Sequence, residues 1–196
     1  MSSLRVQTFA GSEIATYLTE LAALRCEVFH EYPYLYKAQQ SNEERYLADY
    51  SAQPQSFFVM VFDDTQLVGC ASSKSLAGAT EPILQDAILR GGYDQSELFL
   101  YGESVLHKGY RSQGIGHVFF QEREDYGRAQ GFRYACFFAV ERPQNHPQRP
   151  TNYQDLDLFW QSKGFRKTSV NFYLAYQEYG ATIETPKLFS FWIKKL

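Results

Sequence analysis

LFLYGESVLHKGYRSQGIGHVFFQEREDYGRAQ, from Leu98 to Gln130, decides the fold, because it reads as a buried strand, a glycine turn and a helix in direct succession. Apolar residues fall on both parities of the first segment. Leu98, Leu100 and Leu106 lie on one side and Phe99, Tyr101 and Val105 on the other, as expected of a central strand covered on both faces. One carboxylate, Glu103, interrupts it. Ile115, Val118, Phe119, Tyr126 and Ala129 then recur near a 3.6-residue period, and Gly131 is suited to the left-handed position that closes a helix.

The turn between strand and helix is Arg111-Ser112-Gln113-Gly114-Ile115-Gly116. Glycines without Cβ atoms let a ligand approach the main chain, while the free N–H groups and dipole of a helix start attract an anion. Arg111 adds a cation with a fork of donors. The chemistry favoured is pyrophosphate binding by backbone, although glycines that only make a tight turn would read the same way. The motif is neither a Walker loop, lacking Gly-Lys-Ser/Thr, nor a complete dinucleotide fingerprint, lacking the last glycine.

Order separates these alternatives, with Glu103 upstream and a Phe-Trp-x-x-x-Gly-Phe run downstream. GESVLHKGYRSQGIG, Gly102 to Gly116, closely resembles the central motif of the GNAT acetyltransferases, and LFWQSKGF, Leu158 to Phe165, resembles their later aromatic helix before a Gly-Phe strand start. The resemblance spans roughly Phe57 to Tyr176. It implies acetyl-CoA as cofactor, with the amides of Ser112, Gln113, Gly114, Ile115 and Gly116 and the Arg111 side chain holding the pyrophosphate. The backbone of Ser104, Val105 and Leu106 would meet the pantetheine arm, the Leu106 amide also facing the thioester oxygen. Glu103 takes the position of the general base, the alternative being a structural Glu bonded to backbone or to an arginine.

The resemblance departs from the family at the general acid. Where many members carry Tyr, this chain has Trp160, whose indole N–H is no comparable acid. Seven residues earlier, where Asn is frequent, stands Tyr153, with Asn152 beside it. Tyr153 is the candidate substitute acid, with packing at the helix start as its alternative. Asn152 is the remaining candidate cofactor contact.

The rest of the chain bounds the class. With 196 residues, 44% hydrophobic and 17% aromatic, it fits a single domain, 1–196, with a sizeable core. A net charge of -3 gives no reason to expect nucleic acid. Cys26, Cys70 and Cys136 are an odd number, each in an apolar pattern without metal-ligand spacing, which reads as buried free thiols in a reducing compartment, the cytoplasm. No stretch approaches membrane-spanning length, so neither a membrane nor a bound metal is expected.

In chain order, a strand is predicted at Leu4 to Phe9, then a helix capped by Ser12 and running to about Phe29. All of that helix's inner face is suited to burial except Arg25. Pro33 stops it, and a second helix starts at Ser41 with Glu44 at capping-box spacing. Ser56 to Phe62 and Gln66 to Ser73 form a hairpin. Between Leu76 and Gln95, Thr80, Pro82 and Gly91-Gly92 bound a short helix without assigned chemistry. Strands follow at Phe132 to Val140, Lys167 to Tyr176 and Lys187 to Ile193, with a helix capped by Thr151 or Asn152 that buries Leu156, Phe159 and Trp160. Phe189 to Trp192 reads as core or as the contact of a homodimer.

The result is a mixed α/β layer architecture. The resemblance adds a mostly antiparallel sheet with helices on both faces and a fourth and fifth strand that run parallel and splay apart. It also implies that Tyr32, Tyr34 and Tyr36 line the acceptor site; packing of this connection on the core is the alternative. The proline-rich loop after Val140 supplies Glu141, Arg142 and His146 as candidates for acceptor recognition, against an ordinary solvated loop. An aromatic, loop-walled pocket suits a small or amino-acid-like amine. A protein or peptide acceptor, and an acyl-CoA-binding module without turnover, remain the alternatives.

Overall fold

A computed structural model describes residues 4–53, 55–78 and 82–196. Seven strands form one sheet: β1 (Leu4–Ala10), β2 (Phe57–Asp63), β3 (Gln66–Ser75), β4 (Leu98–Leu106), β5 (Tyr134–Val140), β6 (Arg166–Gln177) and β7 (Glu184–Lys195). Their spatial order is β1-β2-β3-β4-β5-β7-β6. Every pairing is antiparallel except β4 with β5. That parallel pair holds register only from Leu98–Tyr134 to Leu100–Cys136, and beyond it the strands splay.

Helices cover both faces. On one, α1 (Leu18–His30) and α2 (Gln40–Ser51) bury Leu21, Leu24 and Leu47 against Phe58, Met60, Phe62 and Cys70. On the other, α4 (Ile115–Ala129) packs Ile115, Phe119 and Phe120 on Val59, Phe99, Tyr101 and Phe137. The short helices α3 (Pro82–Arg90) and α5 (Asp157–Ser162) complete the layers. Trp192 and Phe191 are fully buried and Phe189 nearly so, which makes this run core.

Several helix boundaries differ from the expected ones. The chain leaves β1 through a 3-10 stretch, Gly11–Tyr17, before α1, and Ser12 makes no cap; the Glu13 carboxylate instead accepts from the Ala10 amide at 2.6 Å. α2 begins at Gln40, with neither Ser41 nor Glu44 capping it, because Gln39 holds the extended cap position. Residues 151–156 remain a turn, so α5 starts at Asp157 and neither Thr151 nor Asn152 caps it; Leu156 is exposed. Ala129 is exposed as well, and the α4 face is completed by Arg123 and Gly127. Thr80 lies outside the described residues.

The consequential difference is inside β4. Ala71 pairs with Ser104 and Ser73 with Tyr101, so Ser72 stands opposite both Gly102 and Glu103. One extra residue reverses the alternation beyond it. Leu106 therefore joins Phe99 and Tyr101 on the α4 face, and Val105 joins the α1–α2 face, the reverse of the parity expected for each. Gly102 is required at this bulge by close approach: a Cβ there would lie 2.5 Å from Ser72 Oγ and 2.9 Å from the Tyr50 hydroxyl.

Candidate functional site

The site is built around the bulge and the turn that follows β4. Ser112 has φ +61 and Gly114 φ +84, so the chain coils tightly before α4 begins at Ile115. A Cβ on Gly114 would meet nothing within 4 Å, so the main chain here faces open space. His117 and Val118 donate back to the Gly114 carbonyl. The amides before them sit at the positive end of a 15-residue helix, where intrahelical partners are lacking. Such a cradle fits a diphosphate. Gly116 differs from Gly114, since its Cβ would touch the Phe159 ring at 3.4 Å.

Arg111 faces elsewhere than expected. Its Nε and Nη2 donate to the Leu106 carbonyl at 3.1 and 3.0 Å, and Nη1 and Nη2 donate to the Glu31 carboxylate at 2.7 and 3.2 Å. It thus ties the turn to the end of β4 and to the end of α1. Gln113 Nε2 donates to the Gly109 carbonyl, bracing the turn from inside.

The main chain of β4 presents donors at its free edge. His107 donates to the Val68 carbonyl at 2.9 Å, which makes His107–Val68 a hydrogen-bonded pair. Bonded and non-bonded pairs alternate in an antiparallel ladder, so Ser104 and Leu106 turn their N–H and C=O groups away from β3. Capture of the Leu106 carbonyl by Arg111 agrees. The side they face is the one β5 leaves after Leu100.

Glu103, 7% exposed, points to the α1–α2 face. Its Oε1 lies 2.7 Å from Arg25 Nη1, and Arg25 Nε donates to Glu43 Oε2, also at 2.7 Å. The guanidinium is sandwiched between Phe29 and Tyr46, at 5.0 and 4.6 Å from their centroids. Burial opposes its charge, yet Glu103 foremost, then Tyr46 and Glu43, hold its pKa above the usual arginine value. The Glu103 amide donates to Ser72 Oγ at 3.3 Å.

Behind the bulge, on the α4 face, lies a second buried arginine, which among the described residues makes no ion pair with a carboxylate. Arg123 donates from Nε to the Phe119 carbonyl, from Nη1 to the carbonyls of Ser72 and Glu103, and from Nη2 to Ser104 Oγ. Its charge rests 4.2 Å over the Tyr101 ring. Burial lowers its pKa to about 10. Arg123 therefore ties the Glu103 carbonyl and the Ser104 hydroxyl of β4 to the Ser72 carbonyl of β3.

Of the residues expected to line an acceptor site, some lie together and others are tied to neighbouring elements. Tyr32 meets Tyr153 edge-on at 4.6 Å and lies tilted against His146 at 5.6 Å, and its hydroxyl accepts from Arg149. Tyr34 packs on Phe29; burial, then the charge of Glu103, pushes its phenol up to about 12. The Tyr36 phenol is raised by burial and by Glu43, to which it hydrogen-bonds. Arg142 is spent on structure: it donates to the carbonyls of Pro33 and Tyr34 and pairs with Glu178 at 2.6 Å. Glu141 pairs with Lys167 at 2.5 Å, and the His146 ring accepts from the Gln148 amide.

Trp160 packs against Phe137 and Trp192, at 5.0 and 5.1 Å. Tyr153, beneath the Arg149 guanidinium, has its pKa pushed up to about 12, chiefly by burial. Asn152 is exposed in the turn ahead of α5. Sequence reading missed Glu43, Arg123 and Arg149. Arg25 and Arg123 each carried a signal, a cation on the apolar face of a helix.

Among the described residues, no group of three His, Cys, Asp or Glu side chains could hold a metal, and no helix is long and apolar enough to cross a membrane. No curated protein matches the sequence. Similar folds occur in a ribosomal-protein-alanine N-acetyltransferase from Brucella melitensis (13% identity, TM-score 0.64, covering 98% of this chain and 99% of that one). They occur also in a PaiA N-acetyltransferase from Thermoplasma acidophilum in complex with coenzyme A (12%, 0.61, 99% of both). A third is an acetyltransferase-like structure from Acinetobacter baylyi (13%, 0.66, 100% and 94%). The acetyltransferase (GNAT) family profile matches residues 18–151, more than half of the sequence, on the segment that carries the bulged strand, the glycine turn and α4. The chain belongs to the GNAT acetyltransferase family.

Proposed function

We propose that this protein moves an acetyl group from acetyl-CoA to the amine of a small, amino-acid-like acceptor, with Glu103 as general base. The observation that carries this reading is the β4 bulge, which turns Glu103 to the α1–α2 face while Ser104 and Leu106 offer main-chain groups at an unpaired edge. Acetyl-CoA, when bound, supplies the activated acetyl group. The amides of Ser112 to Gly116 would hold its diphosphate, and the open space at Gly114 supports that fit. The Leu106 amide would stabilise negative charge developing on the acyl oxygen.

An alkyl ammonium has a pKa near about 10 and is scarcely nucleophilic at neutral pH, so a positioned base contributes about 10²- to 10⁴-fold. Glu103 would accept that proton directly or through water. Arg25 and Glu43 act as positioning residues, fixing the carboxylate by a charged contact. Tyr153 is a poor donor with a phenol near 12, which supports return of a proton to sulfur from solvent. Arg142, bonded to the Pro33 and Tyr34 carbonyls, closes the wall between the loop after β5 and the α1–α2 connection. That narrowing favours a small acceptor over an extended peptide such as the one the Brucella protein's name implies. The free Cys26, Cys70 and Cys136 support a reducing, cytoplasmic setting.

Thiol release from acetyl-CoA with a panel of amines tests the reading. Glu103→Gln should lower kcat by about 10²-fold or more with coenzyme A affinity unchanged. Equal rates in both proteins across the pH range would remove Glu103 from the role. One observation favours a second reading, an acyl-CoA-binding module without turnover: the indole of Trp160 is packed where many relatives carry an acid. Coenzyme A binding without thiol release for any amine would select it.

A further inference from the structure

Among the described residues, the buried cations come with hydrogen-bonding or charged partners, Lys74 excepted. Arg25 has two carboxylates, Arg123 has carbonyls and a hydroxyl, Arg142 has Glu178, and Lys187 has Thr185 and Glu178. Lys74, on β3, is only 6% exposed, yet among the described residues its Nζ makes neither a hydrogen bond nor an ion pair. What the ammonium touches is the face of Tyr50, 4.8 Å from the ring centroid. Nor is Nζ among the fully sealed polar atoms that lack a partner. An almost buried ammonium that no anion neutralises, and that solvent still reaches, is an unfilled half of an ion pair.

Its place gives that half a meaning. Lys74 is two residues along β3 from Ser72, whose Oγ accepts from the Glu103 amide. That step covers about 7 Å of strand. Two residues apart on a strand share a face, and the Tyr50 hydroxyl lies beside both Ser72 and Gly102. Lys74 and Glu103 therefore lie on the same side of the sheet, and among the described residues no ion pair joins them; Glu103 Oε1 is held by Arg25, while the Lys74 ammonium has no anion. A ligand that satisfied both would carry a cationic amine at one end and an anion at the other.

We propose that Lys74 binds the anionic end of the acceptor, and that the acceptor is a small amine bearing a carboxylate. The inference rests on the reading of Glu103 as the amine-facing base and narrows its substrate class. Lys74 supplies three donors and a full charge without ordering any new segment of chain. The Tyr50 face restricts where the carboxylate can sit, and hence its distance from the amine.

Thiol release from acetyl-CoA is measured with two arms of matched size: β-alanine, γ-aminobutyrate and the L-amino acids against propylamine, butylamine and the amino-acid amides. The carboxylate arm should exceed the neutral arm in kcat/KM by about 10-fold or more. Lys74→Met should erase that difference, mainly through KM, and Lys74→Arg should retain part of it. A neutral arm used as well as the carboxylate arm by the unaltered enzyme overturns the proposal, whether or not the variants fold. So does a Lys74→Met enzyme in which both arms fall in parallel. If neither arm releases thiol, the transferase reading fails separately, and calorimetry of the carboxylate arm in the presence of coenzyme A decides this one. Weaker binding in Lys74→Met supports it; equal binding, or none in the unaltered protein, overturns it.

Discussion

The two halves of the site are made in opposite ways. The turn from Arg111 to Gly116 is a run of consecutive residues that presents main-chain amides and stays open at Gly114. The face under Glu103 gathers side chains from three elements, Arg25 of α1, Glu43 of α2 and Glu103 of β4, into one buried charged network. A backbone cradle depends on few side chains, so what it costs to alter is set by the backbone conformation alone, as at Gly114 with φ +84. A buried charged network is different, since removing one member leaves the others without compensation. Function at the first region should therefore separate from folding, whereas at the second the loss of Arg25 should weaken both, and only a near-isosteric change such as Glu103→Gln should spare the fold.

Arg25→Met presses hardest on that contrast. It strands two buried carboxylates and should destabilise the fold by about 3–5 kcal/mol, read as a lower midpoint in denaturant titration. A loss no larger than that of a surface substitution would show that the network is not enclosed as described. Gly102→Ala probes the bulge between the two regions. The added methyl would collide with Ser72 and Tyr50, at a cost of about 1–3 kcal/mol, and displacement of Glu103 should reduce turnover further. Gly116→Ala is the mildest case. Its methyl meets only the Phe159 ring at ordinary contact distance, so stability should change by less than about 1 kcal/mol and coenzyme A should still bind.

A pH dependence sharpens the same contrast. The Tyr34 phenol is raised from 10 to about 12, by burial and then by Glu103, so the folded state keeps a proton that the unfolded chain loses earlier. Its contribution to stability is complete below pH 10 and is lost as the pH climbs toward 12. Alkaline unfolding followed by tyrosinate absorbance should show this loss. Replacing Tyr34 with Phe should remove that part of the dependence while leaving the turn's affinity for coenzyme A in place.

The strand-turn-helix unit was legible because its signals are local. Glycines, apolar periodicity and one carboxylate all fall within a single window, and Gly114 and Gly131 adopt the left-handed conformations expected of a turn and a helix end. What lay beyond that window depends on pairing between strands. Gly102 is the one hint in FLYGESVL of an extra residue opposite Ser72, and because a glycine does not say which way the register shifts, the parity of Val105 and Leu106 came out reversed. Likewise, Ser12, Ser41 and Thr151 have the chemistry of caps, but the entry geometry at Ala10, Gln39 and Leu156 decided where those helices begin. Arg25 broke the apolar face of α1 in plain view; that its partners are Glu43 and Glu103 is known only once α2 and β4 are packed together. Arg142 has the residue type of a substrate contact, and the fold uses it as a tie.

Calorimetric titration of coenzyme A into three proteins, the unaltered chain, Gly114→Glu and Glu103→Gln, tests most directly whether cradle and base are separate devices. Gly114→Glu places bulk and negative charge where the diphosphate would lie and should weaken binding by at least about 100-fold, while Glu103→Gln should bind like the unaltered protein. Equal affinity in all three, or a loss with Glu103→Gln as large as with Gly114→Glu, would contradict the account.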